Sequence, residues 1–265
     1  MKFTSKFNAD YCIKSSLLIE NENFCRGRKP VLDLLTKTPE RCSKLLIANN
    51  VRPPFLDEIL QAARKANITY QIVAPEALDK ISAGERHQGV ICKLTESKPI
   101  ELEDFLRTLS EKNSPCLLII LDHIEDPHNL GAIIRSAEAG GASGVIFAKR
   151  RSAAPNDTVI KTSAGASLRL PLIQVANINN TIERLKELNF WVVGLSEKSE
   201  ISIYSEKLPD RCVLVVGAEG SGLSRLVIEN CDLLVKIPIK NEGVGSLNAS
   251  VAAALGIFEW SRNFN

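Results

Sequence analysis

Six short apolar runs between residues 116 and 237 constrain this chain more than any other feature. They are Cys116–Leu121, Gly144–Ala148, Leu172–Val175, Phe190–Leu195, Cys212–Val216 and Leu233–Ile237, and helical or loop segments separate them. The runs are unusually apolar rather than alternating, broken only by Gln174 and Lys236, the pattern of a strand covered on both faces. Such strands interleaved with helices predict a parallel α/β sheet, whose ligands gather at the carboxyl ends of the strands. Chemistry is therefore sought just after each run.

Upstream, Pro30–Leu94 reads as a smaller α/β unit. It has helical patterns at Val31–Leu35 and Phe55–Ala66 and strand-like runs at Leu45–Ala48, Thr69–Val73 and Gly89–Leu94. Between the two lies Thr95–Asp104, acidic and broken by Pro99, leading into a helix that ends near Glu111. The division is 1–95 for the first domain, 96–113 for a linker and connecting helix, and 114–265 for the second domain. A length of 265 residues suits two domains of ordinary size. With 45% hydrophobic and 24% charged residues, disordered and collagen-like classes are excluded.

The net charge of +2 gives no case for nucleic acid until the chain is divided. Residues 1–95 carry 15 Lys and Arg against 10 Asp and Glu, a net of +5, whereas the remainder carries 18 against 21, a net of −3. Two basic triplets stand out, Arg26, Arg28 and Lys29 in the first domain and Lys149, Arg150 and Arg151 directly after a strand of the second. Short charge runs are usually solvated surface, but a triplet at the carboxyl end of a strand is well placed for phosphate. The longest uncharged stretch near the end, Gly243–Phe258, contains Ser246, Asn248 and Ser250 and is too short and polar to cross a bilayer. The first 20 residues lack an apolar signal core, and the seven cysteines are scattered without a paired spacing. A cytoplasmic protein without a membrane span is expected.

Three segments could carry chemistry. In Leu121–Gly141 a strand ends at Asp122, Asn129 is placed to cap a helix running to about Ala139, and Arg135 follows six residues later. His123 and His128 are five apart in a loop, without the same-face spacing of a zinc pair, so no metal is expected. In Val213–Ser224 a strand runs into Gly217, Gly220 and Gly222. The order is GxxGxG, which is neither a dinucleotide nor a phosphate-loop motif, and Glu219 would repel pyrophosphate but attract a cation. In Ile237–Trp260, Ser246 and Asn248 mark the start of a helix uncharged until Glu259. A helix apolar on nearly all faces needs more cover than a small domain supplies, which points to a homodimer.

Together these segments resemble, in order, the motifs of the SpoU class of SPOUT methyltransferases. Asn129, Gly131, Ala132, Ile133 and Arg135 carry the first; Gly217, Glu219, Gly220, Gly222 and Leu223 the second; Ile237, Pro238, Ser246, Leu247, Asn248 and Ser250 the third. Gly27 and the His87–Val90 string resemble the ribosomal-protein-like RNA-binding domain of the 23S rRNA guanosine-2′-O-methyltransferase branch. The resemblance implies a trefoil-knotted catalytic domain that transfers a methyl group from S-adenosylmethionine to a ribose 2′-hydroxyl of RNA, most simply a guanosine of 23S rRNA. It implies catalytic roles for Asn129, Arg135, Glu219, Ser246 and Asn248, and cofactor contacts at Gly217, Ile237 and Leu247. RNA contacts are expected at the two basic triplets. The loop Lys240–Gly245 is one residue longer than the family spacing. In the family the base role goes to the motif-one arginine, but a guanidinium pKa above about 12 makes deprotonation costly. Arg135 could equally clamp a phosphate or stabilise an alkoxide. The alternatives are a tRNA 2′-O-methyltransferase of the same superfamily and a non-catalytic RNA-binding protein that keeps the fold.

Overall fold

A computed structural model describes residues 24–95, 100–110, 115–150, 152–153, 155–205, 207–240 and 246–264. Its contacts divide the chain into two compact units, 1–96 and 97–265.

The first unit contains β1 (Phe24–Arg26), α1 (Arg28–Lys37), β2 (Cys42–Ala48), α2 (Phe55–Lys65), β3 (Tyr70–Val73), α3 (Pro75–Ser82) and β4 (Val90–Leu94). The sheet order is β1-β4-β2-β3, with β4 antiparallel to both neighbours and β2 parallel to β3. Val31, Leu34, Leu45, Ile47, Ile59, Leu78 and Ile91 form its dry interior. The sequence reading misses β1 and α3. Three residues are too few for a strand period to register, and α3 buries only Leu78 and Ser82.

The second unit begins with α4 (Leu102–Ser110). It continues through β5 (Cys116–Asp122), α5 (Pro127–Ala139), β6 (Gly144–Ala148), α6 (Asp157–Thr162), β7 (Leu172–Val175), α7 (Ile178–Glu187) and β8 (Trp191–Leu195). It ends with β9 (Arg211–Gly217), α8 (Arg225–Asn230), β10 (Leu233–Val235) and α9 (Ala249–Ser261). All six strands are parallel, in the order β10-β8-β9-β5-β6-β7. The apolar runs now have their cause. Leu117, Ile119 and Leu121 of β5 face a cluster with Ile133, Ile134, Ala253 and Ile257 of α5 and α9, whereas Leu118 and Ile120 face Phe105, Leu109, Ile182 and Val227 on the other side.

One expectation changes. The helix expected to connect the domains is instead part of the second unit's core. Phe105, Leu106 and Leu109 of α4 are buried, and the Phe105 ring occupies the space above Gly144, where a Cβ would meet it at 2.6 Å. Helix α9 is not covered all round: Val251, Leu255 and Phe258 form an exposed stripe at helical spacing, opposite the buried Ala253, Ile257 and Trp260. Among the described residues no helix is long and apolar enough to cross a membrane.

Candidate active site

The register of the central strands sets up the site. β5 and β9 are adjacent and parallel, with Asp122 opposite Gly217, so the loops that follow them leave the sheet side by side. In the first loop, Asp126 caps α5 by accepting from the His128 amide at 2.9 Å, with Pro127 in the first helical position. Asn129 is therefore not the cap. It lies in the first turn, and its carboxamide is available for other partners.

The second loop is a tight reversal. Ala218 and Gly222 exchange backbone hydrogen bonds of 3.2 and 2.9 Å, and Glu219 sits at the tip. Gly217 is required because a Cβ there would lie 2.2 Å from the Gly222 carbonyl carbon. Gly222 has φ of 66°, a left-handed conformation that suits glycine. In the third segment Asn248 caps α9, its Oδ1 accepting from the amides of Ser250 at 2.9 Å and Val251 at 3.4 Å and from the Ser250 hydroxyl at 2.6 Å.

The side-chain amides then meet one carboxylate. Asn248 Nδ2 donates to Asn129 Oδ1 at 3.0 Å and to Glu219 Oε2 at 3.3 Å, and Asn129 Nδ2 donates to the same Glu219 oxygen at 3.4 Å. Three segments separated by 119 and 90 positions are thus tied at one point. Beside it runs a cleft lined by Leu195–Lys198, Val216–Leu223, Ile237, Ser246, Leu247 and Ala252. Gly217, Ile237 and Leu247 all lie on it, as does the exposed Ser246. Arg135 is exposed on α5 and, six residues from Asn129, stands about 120° round the helix from it. The sequence reading missed the Ser196–Lys198 wall. The rule that ligands sit after strand ends would have found it only with the knowledge that β8 lies beside β9.

Asp122, at 1% side-chain exposure, accepts from the Ser224 amide at 2.7 Å and contacts His123 Nδ1 at 2.6 Å, bracing the first loop against the second. Among the described residues no group of three or more His, Cys, Asp or Glu is arranged to hold a metal ion.

The basic triplets divide. Lys149 and Arg150 are exposed after β6, on the carboxyl edge of the same sheet; Arg151 lies outside the described residues, as does the loop 241–245. Arg26 points inward, its Nη2 donating to the Ile81 carbonyl at 3.4 Å and its guanidinium lying 5.4 Å from the Phe24 ring centroid. Arg28 packs over Phe55 at 4.9 Å and donates to the Gln88 carbonyl at 3.3 Å, and Lys29 is exposed.

Residues 116–258 match the model of the SpoU rRNA methylase family, and residues 26–100 match the RNA 2′-O ribose methyltransferase substrate-binding model. The chain belongs to the SpoU rRNA methylase family. It is an RNA methyltransferase with an N-terminal substrate-binding domain. It is 38% identical over 248 residues to YacO of Bacillus subtilis strain 168, named for the TrmH family of tRNA/rRNA methyltransferases; the match covers 93% of this chain and 98% of that one. It is also 38% identical over 233 residues to the 23S rRNA (guanosine-2′-O-)-methyltransferase RlmB of Salmonella typhimurium, covering 88% and 95% of the two chains. The fold is shared with the SpoU methyltransferase AviRb from Streptomyces viridochromogenes, solved in complex with AdoMet. There the TM-score is 0.75 at 22% identity, over 97% of this chain and 94% of that one.

Proposed function

We propose that this protein transfers the methyl group of S-adenosylmethionine to the ribose 2′-hydroxyl of a guanosine in 23S rRNA. The observation that carries the reading is the convergence of Asn129, Glu219 and Asn248 on one edge of the cleft lined by Gly217, Ile237 and Leu247. The residues fit that cofactor. Leu195, Val216, Ile237 and Leu247 offer apolar walls to an adenine, the reversed backbone at 218–222 offers amides and carbonyls, and Glu219 offers a carboxylate to a sulfonium. The cofactor, when bound, supplies the electrophilic methyl group, and no metal is needed.

A ribose hydroxyl is a weak nucleophile, so the protein's work is to orient it and to accept its proton. Asn129 and Asn248 hold Glu219 from two directions, and a group held by two donors loses little further entropy when substrate arrives. Arg135 and Ser246 are the remaining groups for phosphate and ribose contact; Arg135 would stabilise the growing negative charge on oxygen, or a neighbouring phosphate.

The reading includes a homodimer and a trefoil knot. The exposed stripe of Val251, Leu255 and Phe258 supports the first, because a second copy is the natural cover for an apolar helix face beside a catalytic cleft. The path after β10 supports the second. β10 is at the sheet edge with β8 between it and β9, yet Asn248 shortly downstream bonds Asn129 on the helix after β5. For 23S rRNA, the identity to RlmB over nearly the whole chain is the support.

Mapping of ribose methylation in cells with and without the gene tests the reading. Loss of one 2′-O-methylguanosine in 23S rRNA is expected. Unchanged rRNA with one tRNA position unmethylated would refute it in favour of a tRNA substrate.

A further inference from the structure

A notch of about 370 Å³ opens on the first unit and contains none of the residues of the methyl-transfer site. Arg28, Asn50, Val51, Gln88 and Gly89 line it. No carboxylate is among them, and the exposed Lys29, Arg52 and Arg86 each stand within two positions of a lining residue.

The wall of this notch is rigidly built. Gly89, with φ of 83°, closes against Val51 so tightly that a Cβ would lie 2.5 Å from Val51 Cγ2. Its carbonyl accepts from the Ala48 amide at 2.8 Å, and its amide donates to His87 Nδ1 at 3.1 Å. Gln88 is left-handed, with φ of 53°, a conformation a residue bearing a Cβ adopts only at an energetic cost. From there its Oε1 accepts from the Arg28 amide at 3.0 Å, and its backbone carbonyl accepts from Arg28 Nε at 3.3 Å. The Arg28 guanidinium also lies 4.9 Å from the Phe55 ring centroid. An exposed arginine ordinarily samples many rotamers, whereas this one is held by a ring and a carbonyl. Among the described residues its two Nη groups and the Asn50 carboxamide have no hydrogen bond, and Gln88 Nε2 is left as a donor.

These open groups form a pattern. The two Nη groups are a fork of donors, Gln88 Nε2 adds a third donor, and Asn50 Oδ1 is an acceptor. A phosphate would use donors alone. Guanine presents two neighbouring acceptors, O6 and N7, to such a fork and carries donors at N1 and N2, whereas adenine would set its N6 amino group against the guanidinium. Bases are open to this kind of reading where RNA is single-stranded. We propose that the notch receives an unpaired guanine of the RNA substrate, with the Arg28 Nη groups on O6 and N7 and Asn50 accepting from the base. Lys29, Arg52 and Arg86 are the cations for the flanking phosphates. The subsite rests on the RNA-methyltransferase reading for its class of ligand, and it reads sequence without touching the reacting atoms.

The test is fluorescence anisotropy of the full-length protein with short labelled oligouridines that carry one central guanine, adenine or 7-deazaguanine. The guanine oligomer should bind about 10-fold more tightly than the other two. Arg28→Lys keeps the charge but loses the planar fork, so it should abolish that preference while the salt dependence of binding stays the same. Asn50→Ala removes an exposed side chain that holds nothing in the fold, and should weaken the preference about 3-fold. In tritiated-methyl transfer to RNA from cells lacking the gene, Arg28→Lys should raise the RNA KM about 10-fold with kcat within about 2-fold. Equal binding of the guanine and adenine oligomers by the parent protein, or a preference that survives Arg28→Lys, would overturn the subsite. A fall in kcat with KM unchanged would overturn it too. Anisotropy needs no turnover, so failure of the methyl-transfer reading would show separately, as absence of transfer by the parent protein to any RNA.

Discussion

Asn248 separates the stability of the fold from the chemistry of the site, because its two side-chain atoms do different things. Oδ1 caps α9, and Nδ2 reaches Asn129 and Glu219. Asn248→Asp keeps the cap acceptor and adds about 0.3–1 kcal/mol of favourable interaction with the helix N-terminus. It also removes the donor and sets a carboxylate at the position now 3.3 Å from Glu219 Oε2. At that separation two unit charges repel by about 1.3 kcal/mol in water and about 5 kcal/mol at an effective dielectric of 20. Glu219 is exposed, so the lower end applies, about 1–2 kcal/mol. Cap and repulsion nearly offset, and the unfolding midpoint should move by no more than about 3 °C. Asn248→Ala loses the cap and should cost about 1 kcal/mol. Methyl transfer should fall about 100-fold in both, since a carboxylate displaced by about 1 Å misplaces whatever it orients. Thermal unfolding followed by circular dichroism, paired with tritiated-methyl transfer, measures the two effects. Wild-type turnover in Asn248→Asp would show that the amide donor does nothing for the chemistry.

Gly217→Ala places a Cβ 2.2 Å from the Gly222 carbonyl carbon and should weaken S-adenosylmethionine binding at least about 10-fold by calorimetry; unchanged affinity would place the cofactor elsewhere. Phe258→Asp, at a side chain 49% exposed in one copy, should convert a dimer to monomers in sedimentation velocity without unfolding them. Replacing Lys149 and Arg150 by Ala should flatten the dependence of log K for RNA on log salt by about 1.4–1.8, and an unchanged slope would remove both from the phosphate path. Burial pushes the Cys231 thiol up to about 12 and the Cys212 thiol still higher. In the unfolded chain both ionise near their ordinary value of 9.0, so stability from these thiols is complete below that pH and falls above it. Urea unfolding should lose about 1.4 kcal/mol per thiol for each pH unit between 9 and 12, and Cys231→Ala should remove its share of the slope.

The fold of the second unit was legible because burial on both faces leaves a direct trace in composition. β6 and β7 are found at the residues where the apolar runs lie, and β5 and β9 differ from theirs by one residue at an end or two. Elements too short to show a period left no such trace, as the three-residue β1 and six-residue α6 show, and neither did α3, which buries only Leu78 and Ser82. The capping error at α5 has a similar origin. Asp126 and Asn129 are both good caps, and only the position of Pro127 at the first helical turn decides between them. The site residues could be named from motifs, but their meeting could not. Asn129, Glu219 and Asn248 converge because β5 lies beside β9 in register and because Asn248, downstream of the edge strand β10, lies against the helix that follows β5, and neither fact has a local signature. Asp122 was the least visible of all. Its role depends on the Ser224 amide, which is 102 positions away.

On the proposed reading affinity and chemistry fall to different residues, which would explain why a nearly neutral chain is an RNA methyltransferase. The network at the cleft consists of two neutral amides and one carboxylate, and a hollow beside it adds two more carboxyl groups in Glu125 and Asp126. Such a surface repels phosphate, so the backbone of the acceptor must be held by cations outside it. Lys149 and Arg150 are exposed on the second unit, and Lys29 on the first. Arg26, turned to the Ile81 carbonyl, contributes to the first unit's packing. On the proposed reading, a single 2′-hydroxyl is presented beside the network while the phosphates on either side of it are held outside.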